Sequence, residues 1–147
     1  MNWPLHVTVA AVTEREGRFL LVQERVAGNT VINQPAGHLE QHESLLDAVV
    51  RETLEETAWQ FEPTALVGIY RWMHPKGDTF LRFCFTGTLL REEKNRTLDQ
   101  GIEQVLWLKR EALQQRAQEL RSPLVLQCID DYLSGVRIDL SAIKDVI

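Results

Sequence analysis

GHLEQHESLLDAVVRETLEETAW, residues 37 to 59, decides how this chain is read. A glycine opens the stretch, and Glu40, Glu43, Asp47, Glu52, Glu55 and Glu56 then share it with one arginine, Arg51, among helix-forming apolar residues. A solvated helix spreads its charges and alternates their signs, whereas here the acid is concentrated. At ~100° per residue, Glu52, Glu55 and Glu56 fall within one arc, related by i+3 and i+4. Toward the N-terminus the same arc contains Leu45, Ala48 and Val49, while Leu46, Val50 and Leu54 fill much of the opposite side. The pattern predicts a helix over residues 43–59, buried on two sides, with Ser44 as candidate N-cap. Like charges at this spacing cost a few tenths of a kcal/mol each when exposed, and partial burial makes an uncompensated cluster far worse. Arg51 is one cation among several close carboxylates, so the balance calls for a hard divalent ion with oxygen ligands, Mg²⁺ or Mn²⁺. The alternative is a solvated acidic helix end balanced by Arg51 and bulk counterions. The preceding glycine loop and the two-sided apolar pattern favour the ion.

Around this helix the chain reads as strands first and helices last. His6 to Thr13 and Arg18 to Arg25 are β-branched or apolar runs joined by Glu14-Arg15-Glu16-Gly17, the pattern of a hairpin. A short extended piece follows over Val31 to Gln34, broken by Pro35 and Gly37. Ala65 to Met73 and Thr79 to Leu89 are strand-like and separated by the turn signal His74-Pro75-Lys76-Gly77-Asp78. Phe83 and Phe85 alternate with Arg82 and Cys84, which predicts a strand with at least one buried face. A polar loop, Arg91 to Gly101, leads to a strand over Gln104 to Leu108. Helices are expected over Arg110 to Leu120 and Pro123 to Leu133, the second opened by Ser122 with Pro123 in its first turn. This order implies an α/β architecture, a central mixed β-sheet with helices on both faces. No Gly-, Ser- or Pro-rich linker divides it, so residues 1–147 are expected to form one domain.

A chain of 147 residues is long enough to bury roughly 68–70% of its unfolded surface, so it needs no disulfide staple. Its two cysteines, Cys84 and Cys128, lie in apolar surroundings without a CxxC spacing and read as reduced core residues of a cytoplasmic protein. The opening Met1-Asn2-Trp3-Pro4 has no basic or apolar leader character, and no apolar run is long enough to span a bilayer. With 21 Asp and Glu against 16 Lys and Arg, nucleic acid is not expected as the main partner, because affinity there comes from cations on phosphates. A small phosphorylated ligand remains compatible, with a divalent cation between two anionic surfaces. His6, His38, His42 and His74 show no zinc-type spacing.

The charged positions carry a resemblance. Gly37, Glu43 and the run Arg51-Glu52-Thr53-Leu54-Glu55-Glu56-Thr57-Ala58-Trp59 resemble the Nudix box, G-x5-E-x7-R-E-U-x-E-E-x-G-U, with every charged position and both long spacings in agreement. Thr53, in an aliphatic position, and Ala58, in place of the closing glycine, depart from it and bear on packing and the helix exit; Trp59 keeps a hydrophobic side chain. Further segments, among them Asn33 to Glu40, Phe80 to Phe83, Leu120 to Val125 and Tyr132 to Arg137, look like the NudJ-type branch of the Nudix family. The resemblance implies a Nudix α/β/α sandwich and a Mg²⁺-dependent hydrolase (Mn²⁺ as alternative) of small pyrophosphorylated compounds. Nucleoside di- and triphosphates and hydroxymethylpyrimidine pyrophosphate, a thiamine precursor, would be substrates, with inorganic phosphate released. It assigns Glu52, Glu55, Glu56 and the Gly37 carbonyl as metal ligands, with Arg51 and Glu43 orienting them. The base that activates water is Glu52 or Glu103, the latter equally readable as an ordinary loop carboxylate. Arg82, Lys76 and Arg121 are candidate phosphate or leaving-group contacts, and Trp72, with Trp3 and Tyr70 behind it, a candidate stacking surface. The protein is expected to act as a monomer or weak homodimer. Cleavage at an internal pyrophosphate bond is the alternative reaction, and a non-catalytic nucleotide-binding module or a plain interaction domain the alternative classes; such a module would be expected to lose charged positions of the box, and none is lost.

Overall fold

A computed structural model of the chain describes residues 3–147; Met1 and Asn2, where the absence of a leader was read, lie outside the described residues. The strands are β1 (Leu5–Ala11), β2 (Glu14–Arg15), β3 (Arg18–Val26), β4 (Asn29–Asn33) and β5 (Ala36–His38), then β6 (Trp59–Met73), β7 (Thr79–Glu92) and β8 (Ile102–Leu108). The helices are α1 (Leu45–Thr57), α2 (Arg110–Gln115) and α3 (Leu124–Leu133). None is long and apolar enough to cross a membrane.

A mixed sheet in the order β5-β1-β7-β6, with β1 and β7 parallel, is joined by a second, antiparallel sheet in which β3 pairs with β2, β4 and β8. Of the expected hairpin between the first two apolar runs only the turn end forms, as β2 on β3, and β1 itself does not pair with β3. Both edges of β1 are taken, by β5 and β7, so β3 has no edge to join. The chain instead changes sheets at Val12–Thr13. The Val12 N–H donates to Phe85 O in the mixed sheet, and Thr13 O accepts from Leu20 N in the other. The turn at Glu16 and Gly17, both at positive φ, then closes β2 onto β3.

Period-two alternation sorts the core. Val9, Ala11 and Phe85 face α1, where Ala48 and Val49 meet them together with Phe61 and Leu66. Ala10 and Cys84 face the other way, against Val125, Cys128 and Ile129 of α3 and against Phe19, Leu21 and Ile32 of the antiparallel sheet. Both cysteines are free and buried.

Helix α1 is capped as its sequence predicts, the Ser44 Oγ accepting from the Asp47 N–H at 3.0 Å. Its burial differs from the two-sided expectation. Ala48, Val49, Thr53, Glu56 and Thr57 are buried, while Leu46, Val50 and Leu54 are only half-covered. Thr53 fits an apolar environment because its hydroxyl donates to Val49 O at 2.7 Å. The helix ends on Ala58 at φ 66°, a left-handed residue, which is why a glycine suits this position; alanine bears a strain of roughly 1 kcal/mol.

The strand pair β6–β7 runs past its predicted limits, starting at Trp59 and crossing Pro63. The proline is tolerated because β6 is an edge strand and the register shifts between Pro63 and Ala65. Opposite Pro63 stands Gly87, where a Cβ would lie 2.0 Å from the Glu62 carbonyl oxygen. The obstacle is backbone, so Gly87→Ala is expected to destabilise by roughly 2–3 kcal/mol, about 5–10 °C in Tm, and a thermal melt within 1 °C of the parent would contradict this. The first C-terminal helix is shorter than predicted. It breaks after Gln115 into a 3₁₀ turn at Ala117–Glu119, and α3 starts at Leu124 with the Ser122 Oγ accepting from its N–H.

Candidate active site

β5 lies against β1 with α1 packed behind it, so Gly37 meets the acidic face of the helix. A Cβ on Gly37 would fall 2.1 Å from the Glu52 carboxylate carbon; only glycine leaves room for that carboxylate beside the strand. One turn further on, Glu56 accepts the Ala36 N–H at 2.9 Å. Glu56 is 8% exposed, and burial pushes its pKa from the ordinary 4.5 up to about 9 against the pull of that hydrogen bond. Burial also raises Glu52, outweighing the neighbouring Arg51.

Arg51 is the hub of the remaining charge. Its Nη2 donates to Glu43 Oε1 at 2.7 Å and to the His38 carbonyl at 3.1 Å, its Nε to Glu43 Oε2 at 2.9 Å, and its Nη1 to Glu52 at 2.8 Å and Glu55 at 2.9 Å. Glu40 stands at 3.5 Å. Hydrogen bonding to Glu43 above all holds the guanidinium firmly charged, and the same bond holds Glu43 below the usual carboxylate range. Because Arg51 gathers Glu52 and Glu55 to itself, no three Asp, Glu, His or Cys side chains among the described residues stand together in metal-ligating geometry. The donor set nevertheless suits a hard divalent ion. Glu52, Glu56 and the Gly37 carbonyl are all oxygen donors beside a strand that a Cβ would fill, and Glu56 is a buried carboxylate whose one hydrogen bond comes from a backbone N–H.

These groups open on a cavity of about 490 Å³ between the two sheets. Of the residues singled out from the sequence, Gly37, Glu52, Glu56, Trp72, Arg82 and Arg121 line it. Glu55 does not; it turns to Arg51, and its carbonyl accepts the Asp99 N–H at 3.0 Å. Lys76 stays in the β6–β7 turn outside the cavity, its N–H donating to His74 Nδ1. Trp3 donates to the Thr79 hydroxyl and Tyr70 to Asp131, and neither lines the cavity. Arg82, which a strand pattern alone would put at the surface, is buried between Gln34 and Asn33, because its side of β7 looks into the sandwich. Glu103 lies on β8, away from the cavity. Gln23, Arg25 and Thr30 all donate to it, with Arg25 Nη2 at 2.8 Å, and these bonds lower its pKa.

Other groups enter too, Glu24 and Asp99 with no motif to point to them and His38 from within the box loop. Glu24 lines the cavity and pairs with Arg121 at 3.2 Å. Asp99 reaches the acidic cluster from the polar loop; burial raises its pKa and its charge adds to that around Glu52 and Glu56. His38 lines the cavity beside His6, whose other ring nitrogen meets Asp78 at 2.7 Å. Glu24 lies in an ordinary strand and Asp99 in an ordinary loop, so only the folded pairing reveals them.

The raised carboxylates predict a pH dependence. A carboxyl whose folded pKa lies above its unfolded value stabilises fully below the unfolded value and loses that contribution as pH rises toward the folded one. Glu56, with Glu52 and Asp99 shifted the same way, therefore makes the metal-free protein less stable as pH rises from about 5 to about 9. In EDTA, Tm is expected to fall by roughly 10 °C or more across that window, and Glu56→Gln to flatten most of the fall. A metal-free Tm that rises from pH 6 to pH 9 would contradict the assignment.

Comparison with known proteins agrees with this geometry. The NUDIX domain family model matches residues 3–128. The curated phosphatase NudJ of Escherichia coli (strain K12) is 41% identical over 140 residues, covering 95% of this chain and 91% of that protein. A NUDIX hydrolase from Nitrosomonas europaea superposes with a TM-score of 0.94 at 43% identity, over 96% of this chain and 97% of that one. A UDP-X diphosphatase, at 16% identity and a TM-score of 0.70, shares the fold. With the box glutamates folded beside Gly37 and the match running through both sheets, this chain belongs to the Nudix hydrolases, enzymes of phosphoanhydride bonds.

Proposed function

We propose that the chain hydrolyses small pyrophosphorylated compounds, nucleoside di- and triphosphates and hydroxymethylpyrimidine pyrophosphate among them, and releases inorganic phosphate, with Mg²⁺ (or Mn²⁺) as cofactor. The observation that carries the reading is one cavity with two unlike walls, acidic at Glu52 and Glu56, cationic and aromatic at Arg82, Trp72 and Phe80. Glu52, Glu56 and the Gly37 carbonyl would hold the ion, with Glu55 recruited from Arg51. When bound, the ion neutralises phosphate charge and acidifies water. Arg51, itself fixed by both oxygens of Glu43, steadies Glu52 at the cavity and holds Glu55 in reserve beside it. Glu52, with its raised pKa, takes the proton of the attacking water. Trp72 and Phe80, with ring centroids 5.7 Å apart and planes tilted by 34°, offer an apolar wall for the heterocycle of the leaving group. The 41% identity to a protein described as a phosphatase supports phosphate over pyrophosphate as product. Incubation with a panel of diphosphates and triphosphates, assayed separately for orthophosphate and pyrophosphate, tests this: orthophosphate is expected, and pyrophosphate as the sole inorganic product would overturn it.

A further inference from the structure

The mixed sheet turns one face toward the cavity, and its register orders that face in rows. Trp72, Phe80 and His6 stand side by side on β6, β7 and β1, and the next row runs Tyr70, Arg82, Thr8, His38. The row beyond holds Cys84, Ala10 and Ala36, and Ala36 is the residue whose N–H binds Glu56. Arg82 therefore lies two strands from the acidic wall, roughly 10 Å at strand spacing.

Arg82 is 5% exposed, and it forms no ion pair among the described residues. Its Nη1 donates to Gln34 Oε1 at 2.9 Å and approaches Cys128 Sγ at 3.9 Å, and its Nη2 donates to Asn33 Oδ1 at 3.1 Å. No carboxylate is among these partners. Gln34 is locked in this role because its own Nε2 donates to Val125 O at 2.8 Å, leaving the amide oxygen for Arg82. The Arg82 Nε is buried with no partner. A buried cation is ordinarily paired, and a buried unsatisfied donor costs about 1–3 kcal/mol. Arg82 also lines the cavity, so a ligand can supply what is missing.

We infer that Arg82 is the counter-charge for the phosphate that stays with the organic leaving group, the inner phosphate of an organic diphosphate. This rests on the reaction proposed above and deepens it. The acidic wall of Glu52 and Glu56, with an ion held there, would take the outer phosphate, and the inner phosphate, beyond reach of that ion, would be held by the guanidinium two strands away. Cleavage between the two releases orthophosphate and leaves a monophosphate on Arg82. The arginine is a specificity determinant that demands a charged leaving group and is indifferent to which heterocycle follows.

The test uses the full chain in EDTA, so that binding is read without turnover. Adenosine 5′-monophosphate, orthophosphate and adenosine are titrated calorimetrically into the parent, Arg82→Lys and Arg82→Met, with unfolding curves to confirm that each variant is folded. The monophosphate is expected to bind the parent at least tenfold tighter than adenosine does, and Arg82→Met to weaken it roughly 10- to 100-fold while leaving adenosine unchanged. Arg82→Lys, which keeps the charge, should retain part of the affinity. Equal losses for monophosphate and adenosine would mean that Arg82 reads the heterocycle, and an unchanged monophosphate affinity that it reads neither; both overturn the inference. If neither variant folds, the parent alone decides, since monophosphate binding no tighter than adenosine also overturns it. Phosphate release plays no part in this measurement, so a failure here is distinct from a failure of the proposed reaction.

Discussion

Glu56→Gln is expected to lower kcat by roughly 10²–10⁴-fold, the several kcal/mol that a bound ion contributes to phosphoryl chemistry, while leaving the fold intact. Glutamine keeps the side-chain oxygen that accepts the Ala36 N–H and removes only the charge. That carboxyl is 8% exposed and carries a pKa pushed up to about 9, so the metal-free parent already holds it protonated at neutral pH. The variant therefore imitates the apo enzyme's own charge state and should unfold no earlier than the parent in EDTA. Binding of an ion must expel the proton, so metal affinity should rise with pH up to about 9, and the variant should lose that dependence. Phosphate release at saturating Mg²⁺ measures the first effect and circular dichroism the second. A kcat within tenfold of the parent, or full turnover by the parent in excess EDTA, would remove Glu56 from the site.

Much of this arrangement was legible before the fold was known, and the reason is spacing. Carboxylates three and four apart on a helix must share an arc, and apolar residues alternating along Thr79 to Leu89 must sort to two faces; both follow from backbone geometry alone. Ser44 capped its helix because an N-cap is a local interaction. What the sequence could not disclose depends on which strand meets which. The β1–β3 hairpin was the natural reading of two adjacent runs, yet parallel pairing with β7, some seventy residues away, took the edge. The same pairing turned Arg82 inward, where a lone strand arginine reads as surface. Glu24 and Asp99 approach the cluster only because a strand of the other sheet and a loop fold against it. By sequence Arg51 is one cation too few; in the structure it divides itself among Glu43, Glu52 and Glu55, and leaves Glu56 to burial instead of to charge.

The largest contrast is expected between the two candidate bases, Glu52 and Glu103. Glu103 is held by Gln23, Arg25 and Thr30, and those bonds depress its pKa, so it neither faces the cavity nor readily takes a proton. Glu52 faces the cavity beside Gly37, and burial raises its pKa, which makes it the better acceptor. Glu52→Gln should therefore cut kcat by roughly 10²–10⁴-fold with little change in KM, and raising the Mg²⁺ concentration should not restore it, because what is missing is a proton acceptor. Glu103→Gln should stay within about threefold of the parent, because its carboxylate pairs with Arg25 in solvent and does not line the cavity. Were Glu103 drawn to the site only with substrate bound, the order would invert. Glu103→Gln would then lose the rate, and Glu52→Gln, defective only in holding the ion, would recover as Mg²⁺ is raised. Metal-titrated kinetics on the two variants separate the cases, since occupancy can be restored by mass action and a missing base cannot.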